Sequence, residues 1–410
     1  MRVYFKNELF DGQLLRALTA VYYGGAEVGE CLSTAQRIAE GDAESWHREW
    51  RQTADRVYAA AEESLAKGHL VSAREAFLRA ATYYRTAYLL LIGTPVDPRL
   101  VQAFDRQVDA FRRAGTLFSP PLESISIAYG QTTLPGYFFR VNDSSQPRPT
   151  LILTGGYDST AEELYTYSAA AALRRGYNCL CFDGPGQGAT LIKQGLVFRP
   201  DWENVIAPVV DYLLTRPDVD PQRIVLMGAS LGGYLAPRAA SGEHRLAACV
   251  GDPGEFDLFR AIQDRLPAFL ARQLPKGNRL ALEALKVILN RVVQHPTRGW
   301  SMRRGMWVHG VPTPLDYVRL SQAYTLRGFA EQIRCPTLVC YADHDEVAAY
   351  ARQLFDALTC PKQFITFTQA EGAGEHCESG NRALFHQRAF DWLAQVLARP
   401  SQPKQGPASA

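Results

Sequence analysis

From Thr150 onward the chain repeats one pattern: a short apolar run, closed by glycine or aspartate, then a helical stretch. The runs are TLILTGGYD, YNCLCFDGPGQG, RIVLMGASLGG, LAACVGDPG, TLVCYADHDE and QFITFTQAEG. Between them lie stretches such as AEELYTYSAAAALRRG and WENVIAPVVDYLLTRP. A run that is apolar without alternation suits a strand buried on both faces, and helices between such strands cover a parallel sheet on both sides. Two earlier segments, SISIAYG and LPGYFFRV, alternate instead, as an antiparallel pair does. The pattern predicts an α/β fold with a mostly parallel, eight-stranded sheet. Function in such sheets gathers at the C-terminal strand ends, where each of these glycine- and aspartate-rich loops falls.

The first third is helical. ESWHREWRQTADRVYAAAEESLAKG places large residues at helical spacing and stops at Gly68; HLVSAREAFLRAATYYRTAYLLLIGTP does the same and stops at Gly93 and Pro95. One helical hairpin is not a solenoid, which needs about three or more units. Residues 1–118 are expected to form a helical N-terminal cap or dimerisation domain, with Tyr22/Tyr23 and Tyr83/Tyr84 as packing residues. Residues 119–254 and 335–398 are the expected core. Residues 255–334, with the Trp/Met-rich GWSMRRGMWVHGVPTPLDY, are expected as a lid inserted over the strand ends. The polar, Pro/Ser/Gly-rich residues 399–410 are expected to be a disordered tail.

Composition excludes several classes of function. At 47% apolar residues the 410-residue chain has material for a large core, and its formal net charge of +2 carries no dense Lys/Arg run for nucleic acid. MRVYFKNELFDGQ lacks a signal-peptide core, and YLLLIG is too short to span a bilayer, which predicts a cytoplasmic protein without membrane contact. The eight cysteines form no C-x-x-C pair and no zinc spacing with histidine, so they are expected as buried, reduced thiols, and no metal site is expected. DGPGQGA lacks the last glycine of G-x-G-x-x-G, and no G-x-x-x-x-G-K-[ST] occurs, so no cofactor is expected; Asp183 is assigned a capping role.

One loop carries a nucleophile motif. Gly228-Ala229-Ser230-Leu231-Gly232 is G-x-S-x-G between the strand RIVL and the helix YLAPRAA. A serine on such a strand-to-helix turn is held strained with its hydroxyl exposed, and the glycines remove side chains that would collide with neighbouring backbone. Serine is a weak nucleophile and needs a base, which needs an orienting acid, in the chain order serine, acid, histidine. EGAGEHCESG offers His376 as the base, on a glycine-rich loop expected to be flexible enough to reach Ser230. CYADHDEVA offers Asp345 as the acid, with Asp343 as the alternative. The developing oxyanion needs preset donors. The amide of Leu231 is one, and those of Gly156 and Tyr157 in TGGYDST are the candidates for the other.

On these residues the chain resembles the α/β-hydrolase superfamily. More narrowly, it is similar to the branch that holds bacterial dihydroxypseudooxynicotine hydrolase and fungal heptaketide pigment hydrolases. The resemblance runs over nearly the whole chain: the helical N-terminal part, LTGGYDSTAEELY, FDGPGQG, GASLGGY, DHDEV and GAGEHC. It implies cofactor-free hydrolysis of a carbon–carbon bond beside a ketone, and a homodimer; the cluster Trp300, Met302, Met306 and Trp307 suggests an apolar or aromatic small-molecule substrate, with lid packing as the alternative. Related proteins are esterases, so ester or thioester hydrolysis and acyl transfer stay open, as does a binding protein on a hydrolase scaffold. Because a carbanion leaves less readily than an alkoxide, an additional acid near the lid is expected to help. Glu255 and Asp257 are the candidates, and Trp307 and His309 are further candidate lid residues.

Overall fold

The computed structural model describes residues 1–266, 268–272 and 279–398. The tail expected at 399–410 lies outside the described residues. Five α-helices come first: α1 (Glu8–Thr19), α2 (Val28–Ala35), α3 (Ala43–Ala66), α4 (Leu70–Tyr88) and α5 (Pro98–Thr116). Asn7, Asp42 and Asp97 start α1, α3 and α5 by accepting first-turn N–H groups that have no intrahelical partner. α3 and α4 form a hairpin turned at Gly68, whose φ of +77° suits glycine. Trp50 packs on Tyr83, and Tyr58 on Phe77 and Tyr84, so Tyr83 and Tyr84 are both core residues. Tyr23 is buried too, whereas Tyr22 is exposed.

The sheet comprises β1 (Glu123–Tyr129), β2 (Thr132–Phe139), β3 (Arg148–Thr154), β4 (Asn178–Phe182), β5 (Val219–Ala229), β6 (Ala248–Asp252), β7 (Thr337–Ala342) and β8 (Lys362–Phe367). Its order is β1-β2-β4-β3-β5-β6-β7-β8. β2 runs against both neighbours, and every other adjacent pair is parallel, so the expected eight-stranded, mostly parallel α/β architecture is found.

Side-chain alternation along each strand divides the interior in two. Cys179, Cys181, Val225 and Met227 join a cluster that continues through α1, α3 and α4. Leu180, Phe182, Ile224 and Leu226 join another that includes the helices Glu203–Leu214 and Gly232–Gly242. Both faces are covered, which is why β4 and β6 are buried at every position. All eight cysteines are unpaired and seven are buried.

Between β6 and β7 lie the helices Leu258–Gln263, Ala268–Ala271, Arg279–Gln294, Trp300–Val308 and Pro314–Leu320. Among the described residues no helix is long and apolar enough to cross a membrane.

Candidate active site

Ser230 follows β5 with φ +60°, a left-handed conformation that a residue with a side chain adopts only where its surroundings impose it. The surroundings are tight. A Cβ on Gly228 would come within 1.8 Å of the Gly232 carbonyl oxygen, and one on Gly232 within 2.5 Å of the Thr154 carbonyl oxygen. The Ser230 N–H donates to the Asp252 carbonyl at 2.7 Å, which anchors the turn to the end of β6.

His376 comes from the loop after β8. Its Nδ1 lies 2.7 Å from Asp345 Oδ2 and its Nε2 lies 3.0 Å from Ser230 Oγ. With Nδ1–H donated to the carboxylate, Nε2 is free to accept the serine proton. Burial alone would lower the pKa of His376, but the Asp345 charge outweighs it and holds the imidazole well above its ordinary value. The ring combines a deep position with 44% side-chain exposure because one face opens on a cavity. Asp345 is buried; burial would raise its pKa, yet His376 and the Val347 N–H hold it below the usual value. Asp343 faces elsewhere: its Oδ1 accepts from the Gln369 N–H at 2.9 Å and ties its loop to the exit of β8.

The loop bearing His376 is pinned rather than loose, contrary to the expectation drawn from its glycines. Cys377 and Glu378 both have positive φ. The buried Arg382 donates through Nη1 to Asp252 Oδ2 (2.6 Å), the Cys377 carbonyl (3.0 Å) and Glu378 Oε2 (3.1 Å). Asp252 thereby holds the histidine loop with its side chain and the serine turn with its carbonyl. These partners join the end of β6 to the last helix, a long-range pairing that no local motif signals. Another prop without a motif is Gln187, whose Nε2 donates to the Gly155 carbonyl at 2.6 Å. Asp183 caps as expected, accepting the Ala161 and Ala189 N–H groups.

Gly156 packs directly on Ser230, since an added Cβ would stand 2.6 Å from Ser230 Cβ and 2.7 Å from Oγ. Among the described residues neither the Tyr157 nor the Leu231 N–H has an acceptor. Tyr157, Leu231, Ser230 and His376 all line a cavity of about 560 Å³. Its other walls come from α1, α4 and α5 and from the helices between β6 and β7.

Of the four residues singled out in 255–334, one lines this cavity. Glu255 is 3% exposed and its Oε2 has no partner. Burial pushes its pKa up to about 8, His376 pulls it back, and Asp345 adds to the rise, so it is an uncharged carboxylic acid at neutral pH. Asp257 stands outside the cavity wall. It caps the helix Leu258–Gln263 through the Arg260 N–H and pairs with Arg327, so both its oxygens are engaged away from the cavity. Trp307 packs into the cluster on the far side of the sheet from α3. His309 is enclosed between Tyr157 and Tyr324 hydroxyls at 2.9 and 3.0 Å, and burial lowers its pKa to about 3, so it is a neutral strut. Spacing along the chain could not separate these four, because which face of each short helix meets the cavity depends on the neighbouring segment. Among the described residues no group of three or more His, Cys, Asp or Glu side chains could hold a metal ion.

A parallel sheet with a strained serine after β5, and a histidine bonded to it from beyond β8, is the architecture of an α/β hydrolase. The chain belongs to the alpha/beta hydrolase family, whose model matches residues 151–396. It is 37% identical to the 20-hydroxy-prefusarin hydrolase of Gibberella moniliformis, over 97% of this chain and 99% of that one. It is 35% identical to a hydrolase of Aspergillus aculeatus, over 95% and 97%. Among solved structures, 2,6-dihydroxy-pseudo-oxynicotine hydrolase superposes with a TM-score of 0.73 at 26% identity, covering 93% of this chain and 96% of that one. The branch suggested by the sequence motifs is therefore the one the comparisons return. Family and relatives together support hydrolase activity.

Proposed function

We propose that the protein is a serine hydrolase that cleaves a carbon–carbon bond next to a ketone in an apolar or aromatic, polyketide-like metabolite. The observation that carries this is Glu255: an uncharged acid in the cavity that holds the Ser230–His376–Asp345 relay. An ester hydrolase has no need of it, because an alkoxide can take its proton from the histidine alone. Similarity to hydrolases of fungal metabolites and to 2,6-dihydroxy-pseudo-oxynicotine hydrolase supports the same substrate class.

In this mechanism Ser230 gives its proton to His376 Nε2 and adds to the ketone carbonyl. The oxyanion is received by the N–H of Leu231 and by the N–H groups of Gly156 and Tyr157. The carbon–carbon bond breaks, its electron pair stays on an enolate or electron-rich ring carbon, and Glu255 protonates that carbon. The imidazolium then returns the proton to Glu255. Neutral His376 draws a proton from water, which attacks the acyl-serine; the acyl–Oγ bond then breaks, the imidazolium returns its proton to Ser230 Oγ, and a carboxylic acid is released. Asp345 keeps the tautomer and stabilises the imidazolium.

Residues 255–334 act as the lid and 1–118 as the cap, supported by the cavity walls that both supply. The homodimer rests on family resemblance, and sedimentation reads it. The chemistry is tested by labelling with a fluorophosphonate, with Ser230→Ala as control, followed by matched aryl-ketone and aryl-ester substrates. Labelling at Ser230 with ketone cleavage is expected. Ester turnover alone would make the protein an esterase, and absence of labelling would overturn the hydrolase assignment.

A further inference from the structure

Five arginines line the cavity; Arg265 and Arg298 are exposed, whereas Arg16 from α1, Arg85 from α4 and Arg304 from the helix Trp300–Val308 gather round Asp158. Arg16 and Arg85 are neutralised. Arg16 pairs with Asp158 at 2.6 Å and Glu163 at 2.7 Å, and Arg85 with the same two at 3.2 and 3.5 Å. Burial alone would raise the pKa of Asp158, but Arg16 and Arg85 outweigh it and hold this carboxyl far below its ordinary value, so it is an anion. The next carboxyl, Glu162, is pushed up by burial and accepts the Tyr137 hydroxyl. The three guanidiniums around Asp158 therefore share two carboxylates, Asp158 and Glu163, and one positive charge of this group is left over.

The surplus sits on Arg304. It is 6% exposed, and among the described residues it has no ion-pair partner. Its one hydrogen bond runs from Nε to the Tyr157 carbonyl at 3.1 Å, and Nη1 is buried with no partner. The guanidinium lies over the Trp307 ring at 4.9 Å, which fixes its plane. Burial, with repulsion from Arg85 and Arg16, lowers its pKa to about 10 despite the pull of Asp158. A buried cation with unused N–H donors at a cavity wall is costly unless something pairs with it. Among the described residues Asp158 attracts it from a distance, but no carboxylate forms an ion pair with it.

We infer that Arg304 is a specificity-determining residue that binds an anionic oxygen of the substrate, a carboxylate or the ionised enol of a dicarbonyl. A planar fork of donors matches either group. Its Nε already holds the carbonyl of Tyr157, so the anion is bound beside the loop that receives the oxyanion. This deepens the proposed function by adding charge to the substrate class, and it rests on the cavity being the substrate site.

The test is calorimetric binding to the full-length Ser230→Ala protein, which binds without turnover. Benzoylpropionate is compared with benzoylpropionamide, and benzoylacetone, at a pH where its enol ionises, with butyrophenone. The charged member of at least one pair is expected to bind tenfold or more tightly. Arg304→Gln is expected to erase that preference, and Arg304→Lys to restore part of it. Preference in one arm alone identifies the group as carboxylate or enolate. Equal binding in both pairs, or a preference that survives Arg304→Gln, overturns the inference. Fluorophosphonate labelling of Ser230 in the Arg304→Gln protein, otherwise wild type, keeps the two questions apart. Labelling of Ser230, together with no charge preference in the Ser230→Ala protein where Arg304 is intact, removes only the role of Arg304; preference in that protein without labelling removes the serine chemistry instead.

Discussion

Replacing Glu255 by glutamine separates carbon–carbon cleavage from ester hydrolysis in one variant. The side chain keeps its size and loses its proton. With a pKa of about 8, Glu255 carries that proton in roughly 90% of molecules at about pH 7, whereas a carboxyl at its ordinary value would rarely do so. Positioned acids contribute about 10²- to 10⁴-fold, which is about 3–5 kcal/mol of barrier. Glu255→Gln is therefore expected to lower kcat on an aryl ketone by about 10²-fold or more and to change ester turnover only a few-fold. The wild-type ketone profile is expected to fall on the alkaline side near 8, and the variant to lack that limb. Because Glu255 and His376 interact, the two limbs are properties of the pair.

Stability supplies an independent check on the same carboxyl. Its folded pKa is raised, so between 4.5 and about 8 the unfolded chain gives up this proton first and stability falls as pH rises. The full gap corresponds to about 5 kcal/mol as an upper bound. Glu255→Gln removes that loss, so urea unfolding at about pH 9 should show a variant more stable than wild type by a few kcal/mol. At mildly acidic pH the two should be close. Equal losses on ketone and ester, or unchanged ketone turnover together with unchanged alkaline stability, would refute the role given to Glu255.

His376 acts as a base only when neutral, and its pKa is raised, so activity should rise with pH through a midpoint above 6.5. Asp345→Asn should lower that midpoint and reduce kcat by about 10³- to 10⁴-fold, while Asp343→Asn should leave the midpoint in place, both read from pH–rate profiles on an ester. Gly156→Ala places a methyl 2.7 Å from Ser230 Oγ; fluorophosphonate labelling should drop sharply while circular dichroism stays that of wild type. His309→Phe leaves the Tyr324 hydroxyl without its partner, while the Tyr157 hydroxyl keeps Tyr317; the buried, unpaired Tyr324 hydroxyl should cost about 1–3 kcal/mol, measurable by denaturant unfolding.

What was legible in the sequence was local. Strand, turn and helix around Ser230 lie within a dozen residues, and steric need for Gly228 and Gly232 makes the motif hard to imitate. Asp345 and His376 were legible as candidates because each lies in the loop that follows one of the last two strands, β7 and β8, whose place in the order is set by the apolar runs. The face that a lid residue presents was not legible. Glu255 and Asp257 are two positions apart, yet one lines the cavity with its pKa raised by burial and the other is held outside it by Arg327. The difference comes from Thr325 and Arg327, about seventy positions onward, which claim Asp257. Arg304 was missed for the same reason in reverse: its significance is that carboxylates distributed through Asp158 and Glu163 are already spent on Arg16 and Arg85.

That arrangement bears on what the N-terminal helices do. An apolar cluster runs without interruption from Phe10 and Trp46 through Tyr137 to Leu151, so packing does not stop at the start of the sheet. The ion pairs make the connection specific. Arg16 and Arg85 reach from α1 and α4 to Asp158, the residue after Tyr157. Removing either cation would leave a buried anion short of a partner, a loss of about 3–5 kcal/mol for a pair broken this way. That strain would fall on the loop whose Gly156 packs against Ser230. The helices therefore do more than cover the cavity: they set the position of the loop proposed to receive the oxyanion. By pairing with Asp158 and Glu163, they also keep these two carboxylates from an ion pair with Arg304, the residue inferred to bind the substrate anion.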